Sequence, residues 1–257
     1  MTADEWASER LIITADDFGL DRSSSEAIVE SLVRGWVTHA SLLVNLGHVD
    51  DAAALARAAQ VNGRIGVHLN FSEGEPLTSG LRGCQIFCAR GRFLPVEEFP
   101  RYKTLTAEQK ALVASEMRAQ IAAASTRGLA VSHLDSHNDV HIAPSIARIV
   151  AEIARELHIP RVRISRNCGL RQGVVRRVHH RAYNAWLSRR GLRRVHYYGS
   201  VDDMIWLGRR GALESESAVE IMTHPRKSPT GEIVDVPSME PLVDRLKRLR
   251  PYLPVTT

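Results

Sequence analysis

Short apolar runs that end in acids or histidines recur along this chain, with helix-like stretches between them. Leu11-Ile12-Ile13-Thr14-Ala15 leads into Asp16-Asp17-Phe18-Gly19, a pattern that reads as a buried strand with two carboxylates at its end. Gly19 lets the chain turn, and Asp21 to Glu26 supplies cap-type residues for a helix over about Ser23 to Arg34. Strand alternation sends Asp16 and Asp17 in different directions, so the two can take different roles. Taken alone, the pair could equally cap the helix.

The same alternation continues. Val37 to Asn45 reads as a second strand, Asp50 to Gln60 as a helix, and Arg64 to Asn70 as a third strand with His68 near its end. Ser72 to Leu105 is rich in Gly and Pro, and a loop of that length in a compact fold usually covers a site or binds something. A helix over about Thr106 to Arg127 precedes the strand Leu129 to His137, which runs into Asn138-Asp139-Val140-His141. A helix over Pro144 to His158 leads to a fifth strand, Pro160 to Ser165, and a helix over Gly173 to Arg190 follows. On that helix Val174, Val175, Val178, Ala182, Ala185 and Trp186 are expected to share the buried face, opposite Arg176, Arg177, His180, Arg181 and Asn184. A weaker strand near Val195 to Tyr198, a strand Ala218 to Pro225 bearing His224, and a helix over Glu240 to Leu249 complete the pattern. Strands alternating with helices imply a parallel sheet with right-handed crossovers. Polar residues at the ends of many strands suit a barrel, where the loops converge on one mouth. We therefore expect an α/β fold, an irregular TIM-like barrel possessing eight strands or fewer, with residues 1–257 as one domain.

Charge is unevenly placed. Of the 34 Lys and Arg residues against 29 Asp and Glu, eleven arginines fall between Arg161 and Arg194, a stretch with no acid and no lysine. Three readings of that segment stand: a solvated helix face; Arg161, Arg163 and Arg166 at the mouth binding a phosphate or carboxylate of the substrate; or a helix lying on an anionic membrane, with Trp186 and Tyr183 at the interface. No recognition motif supports nucleic acid. Cys84, Cys88 and Cys168 form no even disulfide set, which points to a reducing, cytoplasmic setting. Neither a signal pattern nor a membrane-length apolar run is expected.

Asp17, His68 and His137, from three strand ends, form a two-imidazole, one-carboxylate set that can hold a divalent ion with coordination positions left for water and substrate. Such an ion brings the pKa of bound water towards roughly 7 in the best zinc cases. Asp16 could accept the water's proton, and His224 could protonate a leaving group.

Thr14-Ala15-Asp16-Asp17-Phe18-Gly19-Leu20, Gly66-Val67-His68-Leu69-Asn70, Ser132-His133-Leu134-Asp135-Ser136-His137 and Glu220-Ile221-Met222-Thr223-His224-Pro225 together resemble the YdjC-like carbohydrate deacetylases. The four motifs stand in family order and span essentially the whole chain. The resemblance implies a TIM-like barrel, one divalent metal, and hydrolytic removal of an N-acetyl group from an amino sugar. It assigns Asp17, His68 and His137 as metal ligands, Asp16 as general base and His224 as the histidine of the late His-Pro motif. Asp135 is expected to orient a histidine or to cap the turn after its strand. Asn70, Asp139, His141, Arg163 and Arg166 are further residues expected behind the ligands or against substrate. Asn138-Asp139 departs from the family pattern, in which His or Gln and then His follow the ligand histidine. Asp139 would face solvent, alter metal preference or contact a substrate hydroxyl or amine.

The ligand types favour Zn2+, with Mg2+ the other metal the family uses. The expected partner is a carbohydrate, free or linked to phosphate or lipid, with peripheral membrane contact through 173–194 and a homodimer as further expectations. Two alternatives stand beside it: a metal-dependent sugar isomerase or epimerase, which needs a carboxylate-rich metal site, and a non-catalytic carbohydrate-binding descendant, against which the complete set of Asp16, Asp17, His68, His137 and His224 argues.

Overall fold

A computed structural model describes residues 10–168, 174–192, 195–213, 216–236 and 238–253. The chain opens with β1 (Leu11–Phe18), α1 (Arg22–Val33), β2 (His39–Leu42), α2 (Val49–Ala58) and β3 (Ile65–Leu69). Asp21 caps α1 by accepting from Ser24 N at 2.7 Å, and Gly19 makes the tight turn before it with φ +85°. The long excursion after β3 holds α3 (Ser79–Arg82) and a hairpin of β4 (Cys88–Ala89) and β5 (Arg92–Phe93). It folds on its own aromatic cluster: Phe71 lies 5.6 Å from Phe93 and 6.4 Å from Phe87, ring to ring. Then come α4 (Ala107–Ser125), started by a Thr106–Gln109 capping box, β6 (Leu134–Ser136), α5 (Ala147–Glu156), α6 (Val174–Ser188), β7 (Tyr197–Ser200), α7 (Val201–Gly208) and β8 (Val219–Thr223). A small antiparallel sheet of β9 (Pro225–Lys227), β10 (Ile233–Asp235) and β11 (Glu240–Pro241) leads to α8 (Leu242–Leu249).

The main sheet is parallel, ordered β6-β3-β2-β1-β8-β7, and curls around β1. Residues 160–165, expected as a strand, form none, yet they fill the gap between the outer strands. Leu134 N donates to Arg161 O at 3.0 Å and Arg163 N to Leu134 O at 2.9 Å on one side. On the other, Asn167 N donates to Tyr198 O at 3.2 Å. The backbone of Ser165 is taken by a side chain: Asn184 accepts from Ser165 N and donates to Ser165 O at 2.8 and 3.0 Å. A strand ladder fails here because a helix supplies the partners that a neighbouring strand would. The result is an irregular half-open barrel of six strands with one extended stave across its seam.

That stitching corrects the expected orientation of α6. The side chains of Val174, Val175 and Arg176 lie outside what the structure describes; from Arg177 on, the buried residues are His180, Tyr183, Asn184 and Leu187, whereas Val178, Ala182 and Ala185 are exposed. His180 Nδ1 donates to Arg166 O at 2.7 Å, so polar side chains face inward to bind the stave and small apolar ones face out. The parts of the basic segment at 169–173 and 193–194 lie outside the described residues. Among the described residues, no helix is long and apolar enough to cross a membrane.

Candidate metal centre

Alternation along the staves puts Thr14 and Asp16 of β1, Ser41 of β2, His68 of β3, Asp135 of β6, Tyr198 of β7 and Glu220 of β8 on the concave face, while Ile13, Ala15, Val67 and Ile221 face the helices. Such interiors are usually filled with branched apolar side chains; this one is ionic. Arg163 enters from the irregular stave and meets three acids. Nη1 and Nη2 fork onto Asp16 at 2.7 Å each, Nη2 also reaches Asp135 at 2.7 Å, and Nε donates to Glu220 at 2.9 Å. Its guanidinium lies 5.0 Å from the ring centre of Tyr198. Arg161 completes Glu220 at 2.7 Å, and Ser41 donates to Asp135 at 2.6 Å while facing His133 at 3.0 Å. Gly66 exists for this packing, since a Cβ there would stand 2.4 Å from the His133 ring.

At the mouth end, a bulge shifts the β1–β2 register between Ala15 and Phe18 and leaves Asp17 at φ +67°. The inserted residue undoes simple alternation, so Asp17 turns towards the same opening as Asp16. A left-handed aspartate is tolerated but strained, and such positions cluster at functional sites. His137 Nδ1 lies 2.9 Å from Asp17 Oδ1, and His68 Nε2 lies 3.5 Å from the same oxygen. Asp17, His68 and His137 thus each offer a donor atom within 4.8 Å of the others.

The residues fit a divalent ion. His68 Nδ1 donates to Asp135 at 2.8 Å, which leaves Nε2 facing Asp17 as the coordinating nitrogen. Asp16, His68 and Asp135 also approach within the same limit, but Arg163 already neutralises both acids and its buried charge would repel a cation. The first group is the better cage. Burial alone would lower the His68 imidazole, but Asp135 overrides it and carries the group up to about 10. Burial would likewise raise Asp17, but hydrogen bonds from His137 and His68 hold it far below the usual carboxylate range. Of the three interior acids, burial raises Asp16 despite Arg163. Asp135 and Glu220 are held down by their arginine and histidine partners against the same burial.

His224 is half-buried just past β8; Thr223 pairs with Ala15, so the next residues along the two strands are His224 and Asp16. Its backbone N donates to Asp235 at 2.7 Å. Of the other expected site residues, Arg163 stands behind Asp16 and Asp135, one of the two places expected for it. Arg163 and Arg161 do not meet substrate at the mouth: both are buried, and their charges are spent on Asp16, Asp135 and Glu220. Arg166 is bound to Asp203 and Ser200 at the start of α7, again not a free anion receptor. Asn70 is fully buried and folds the following loop, accepting from Ser72 N and Glu73 N at 3.1 Å. Asn138 and Asp139 take consecutive left-handed conformations, with φ 57° and 52°, and Arg101 donates to both of their carbonyls. Small Asn and Asp side chains suit that backbone, which gives the departure a conformational reason. Glu220, Ser41, His133 and Tyr198 also line the interior and are not among the expected site residues. Strict alternation in Val219-Glu220-Ile221 is the signal that carries Glu220.

His141, expected behind the ligands or against substrate, is fully buried. Its Nε2 donates to Arg163 O at 3.1 Å, and its Nδ1 meets Ser136 Oγ at 2.7 Å. Burial lowers this imidazole to about 4, so the unfolded chain takes up a proton near 6.5 that the folded one refuses. Stability therefore falls as pH drops from about 6.5 towards 4. Between pH 7 and pH 5, His141→Gln is expected to remove about 2 kcal/mol of the loss measured by urea unfolding. Equal losses in both proteins would contradict this.

A family model described as YdjC-like protein matches residues 10–248. A carbohydrate deacetylase of Homo sapiens is 36% identical over 145 residues, covering 56% of this chain and 44% of that protein. One from Brevibacillus brevis is 32% identical over 151 residues, 59% of this chain and 58% of its own length. The chain thus spans about half the length of these curated relatives. The crystal structure of an Enterococcus faecalis protein described in terms of cellobiose-phosphate cleavage superposes with a TM-score of 0.66 at 22% identity, covering 96% of this chain and 90% of that one. The two share a fold.

Proposed function

The chain belongs to the YdjC-like protein family, and on that premise we propose that it is a metal-dependent hydrolase that removes the N-acetyl group from an amino sugar, oligosaccharide or glycoconjugate. The observation that carries the reading is the meeting of Asp17, His68 and His137 around one point at the barrel mouth. Two imidazoles with one carboxylate form a donor set more suited to Zn2+ than to Mg2+, and less suited to the carboxylate-rich site of a sugar isomerase. When bound, such an ion supplies Lewis acidity to the amide carbonyl and acidifies water.

The chain's own residues supply the proton traffic. Asp16 takes the proton from the attacking water, as the interior acid whose proton affinity burial raises. Arg163 fixes both Asp16 oxygens, so the acceptor is held in one orientation. Addition of water to the acetyl carbonyl gives a tetrahedral centre; its C–N bond breaks, acetate leaves, and His224 gives a proton to the departing amine. Asp135 keeps the His68 ring in place.

The substrate is a carbohydrate of which a phosphate- or lipid-linked form is one version. With Arg161, Arg163 and Arg166 engaged internally, basic surface for an anionic aglycone or membrane is left to Arg177, Arg181, Arg189 and Arg190, which are exposed on and just after α6. Three free cysteines, Cys84, Cys88 and Cys168, suit a cytoplasmic setting.

Acetate release from N-acetylglucosamine oligomers, with and without a chelator, tests the proposal. Release that chelator abolishes and added Zn2+ restores is the expected result. Release unaffected by chelator removes the metal, and ion binding without release from any acetylated sugar leaves the carbohydrate-binding alternative.

A further inference from the structure

His68 and His137 face the same carboxylate in opposite senses. His68 presents Nε2 to Asp17 and gives Nδ1 to Asp135. His137 presents Nδ1 to Asp17 and turns Nε2 outward, 3.7 Å from Glu73 Oε1. An imidazole that ligates through one nitrogen needs a lone pair there and a proton on the other. A carboxylate against that second nitrogen fixes both, and strengthens the donor. Asp135 does this for His68.

We propose that Glu73 is the equivalent positioning residue for His137, holding Nε2–H so that Nδ1 keeps its lone pair towards the ion. Glu73 stands on the loop after β3, at a point where its backbone is clamped. Asn70 accepts from Glu73 N at 3.1 Å, and Asn70 and Asn45 both donate to Glu73 O at 3.0 Å. The half-exposed carboxylate takes no part in that clamp, so the side chain can change without loss of the loop. The two outer carboxylates differ in one respect: Asp135 is sealed inside the barrel, whereas Glu73 sits on the rim of the long excursion. One ligand histidine is therefore braced from the core and the other from a surface loop.

The inference rests on the metal reading above, and the test separates the two. Metal-free wild type and Glu73→Gln are titrated with Zn2+ against a chromophoric chelator, and with Co2+ by visible absorption. Glu73→Gln is expected to weaken Zn2+ binding about 10–100-fold and to shift the Co2+ bands, while the metal-free melting temperature stays unchanged. In a His137→Ala background the same substitution is expected to have no further effect, since Glu73 acts through that ring. Equal Zn2+ affinity in Glu73→Gln and wild type would overturn the proposal, as would a loss of the same size with His137 absent. A wild type that binds neither ion would instead remove the metal centre itself. Glu73→Asp, one methylene too short to reach Nε2, is the second variant and is expected to repeat the loss.

Discussion

Arg163→Met is expected to lower the free energy of unfolding by roughly 3–5 kcal/mol, because it leaves buried carboxylates without their counter-charge. Asp16, Asp135 and Glu220 are each at most 4% exposed and all meet this one guanidinium. An effect of that size is a large share of the stability of an ordinary domain. Arg163→Lys keeps a positive charge but cannot fork onto Asp16 while also reaching Glu220. That variant is expected to fold with a smaller deficit and still lose turnover, since Asp16 would no longer be held through both oxygens. Urea unfolding measures the first effect and acetate release the second. An Arg163→Met midpoint equal to that of wild type would mean that the interior acids are neutralised by another route.

Asp16→Asn is expected to keep ion binding within a few-fold and to lose about 10²–10⁴-fold in kcat. Asp17, His68 and His137 are unchanged in that variant, whereas the proton acceptor is gone. The new amide N–H faces an arginine N–H across one arm of the fork, which costs about 1–3 kcal/mol of stability. Turnover should therefore be measured well below the variant's own melting temperature, with bound Zn2+ counted in the same sample. Unchanged turnover would remove Asp16 from the base role, and loss of the ion along with turnover would make Asp16 part of the cage.

The candidate ligands and the acid beside them are legible in the sequence because each breaks an apolar run where a strand ends: Asp16-Asp17 after Leu11–Ala15, His68 within Ile65–Leu69, and His137 after Leu134–Ser136. What alternation could not supply was the meaning of the polar face. Arg161 and Arg163 alternate with Val162 and Ile164, but nothing local says whether their side of the stave is water or a lumen lined with acids. Their partners Asp16 and Glu220 lie 147 and 57–59 residues away. The bulge at Asp17 was invisible for a similar reason, since it exists only in the register against β2. On α6 the apolar count favoured the wrong face because polar His180 and Asn184 serve as backbone partners for the stave. β9 to β11 are two or three residues each, too short for a period to show.

The seam joined by Asn184 gives α6 an unusual mechanical position. The same side chain that grips Ser165 belongs to a helix whose outer turns carry solvent-facing arginines, and Ser165 stands two residues from the guanidinium that cradles Asp16. A load applied to the outside of the molecule at α6 passes through the side-chain-to-backbone links of His180 and Asn184 into the stave that carries Arg163, and from there to Asp16, with no intervening strand to absorb the displacement.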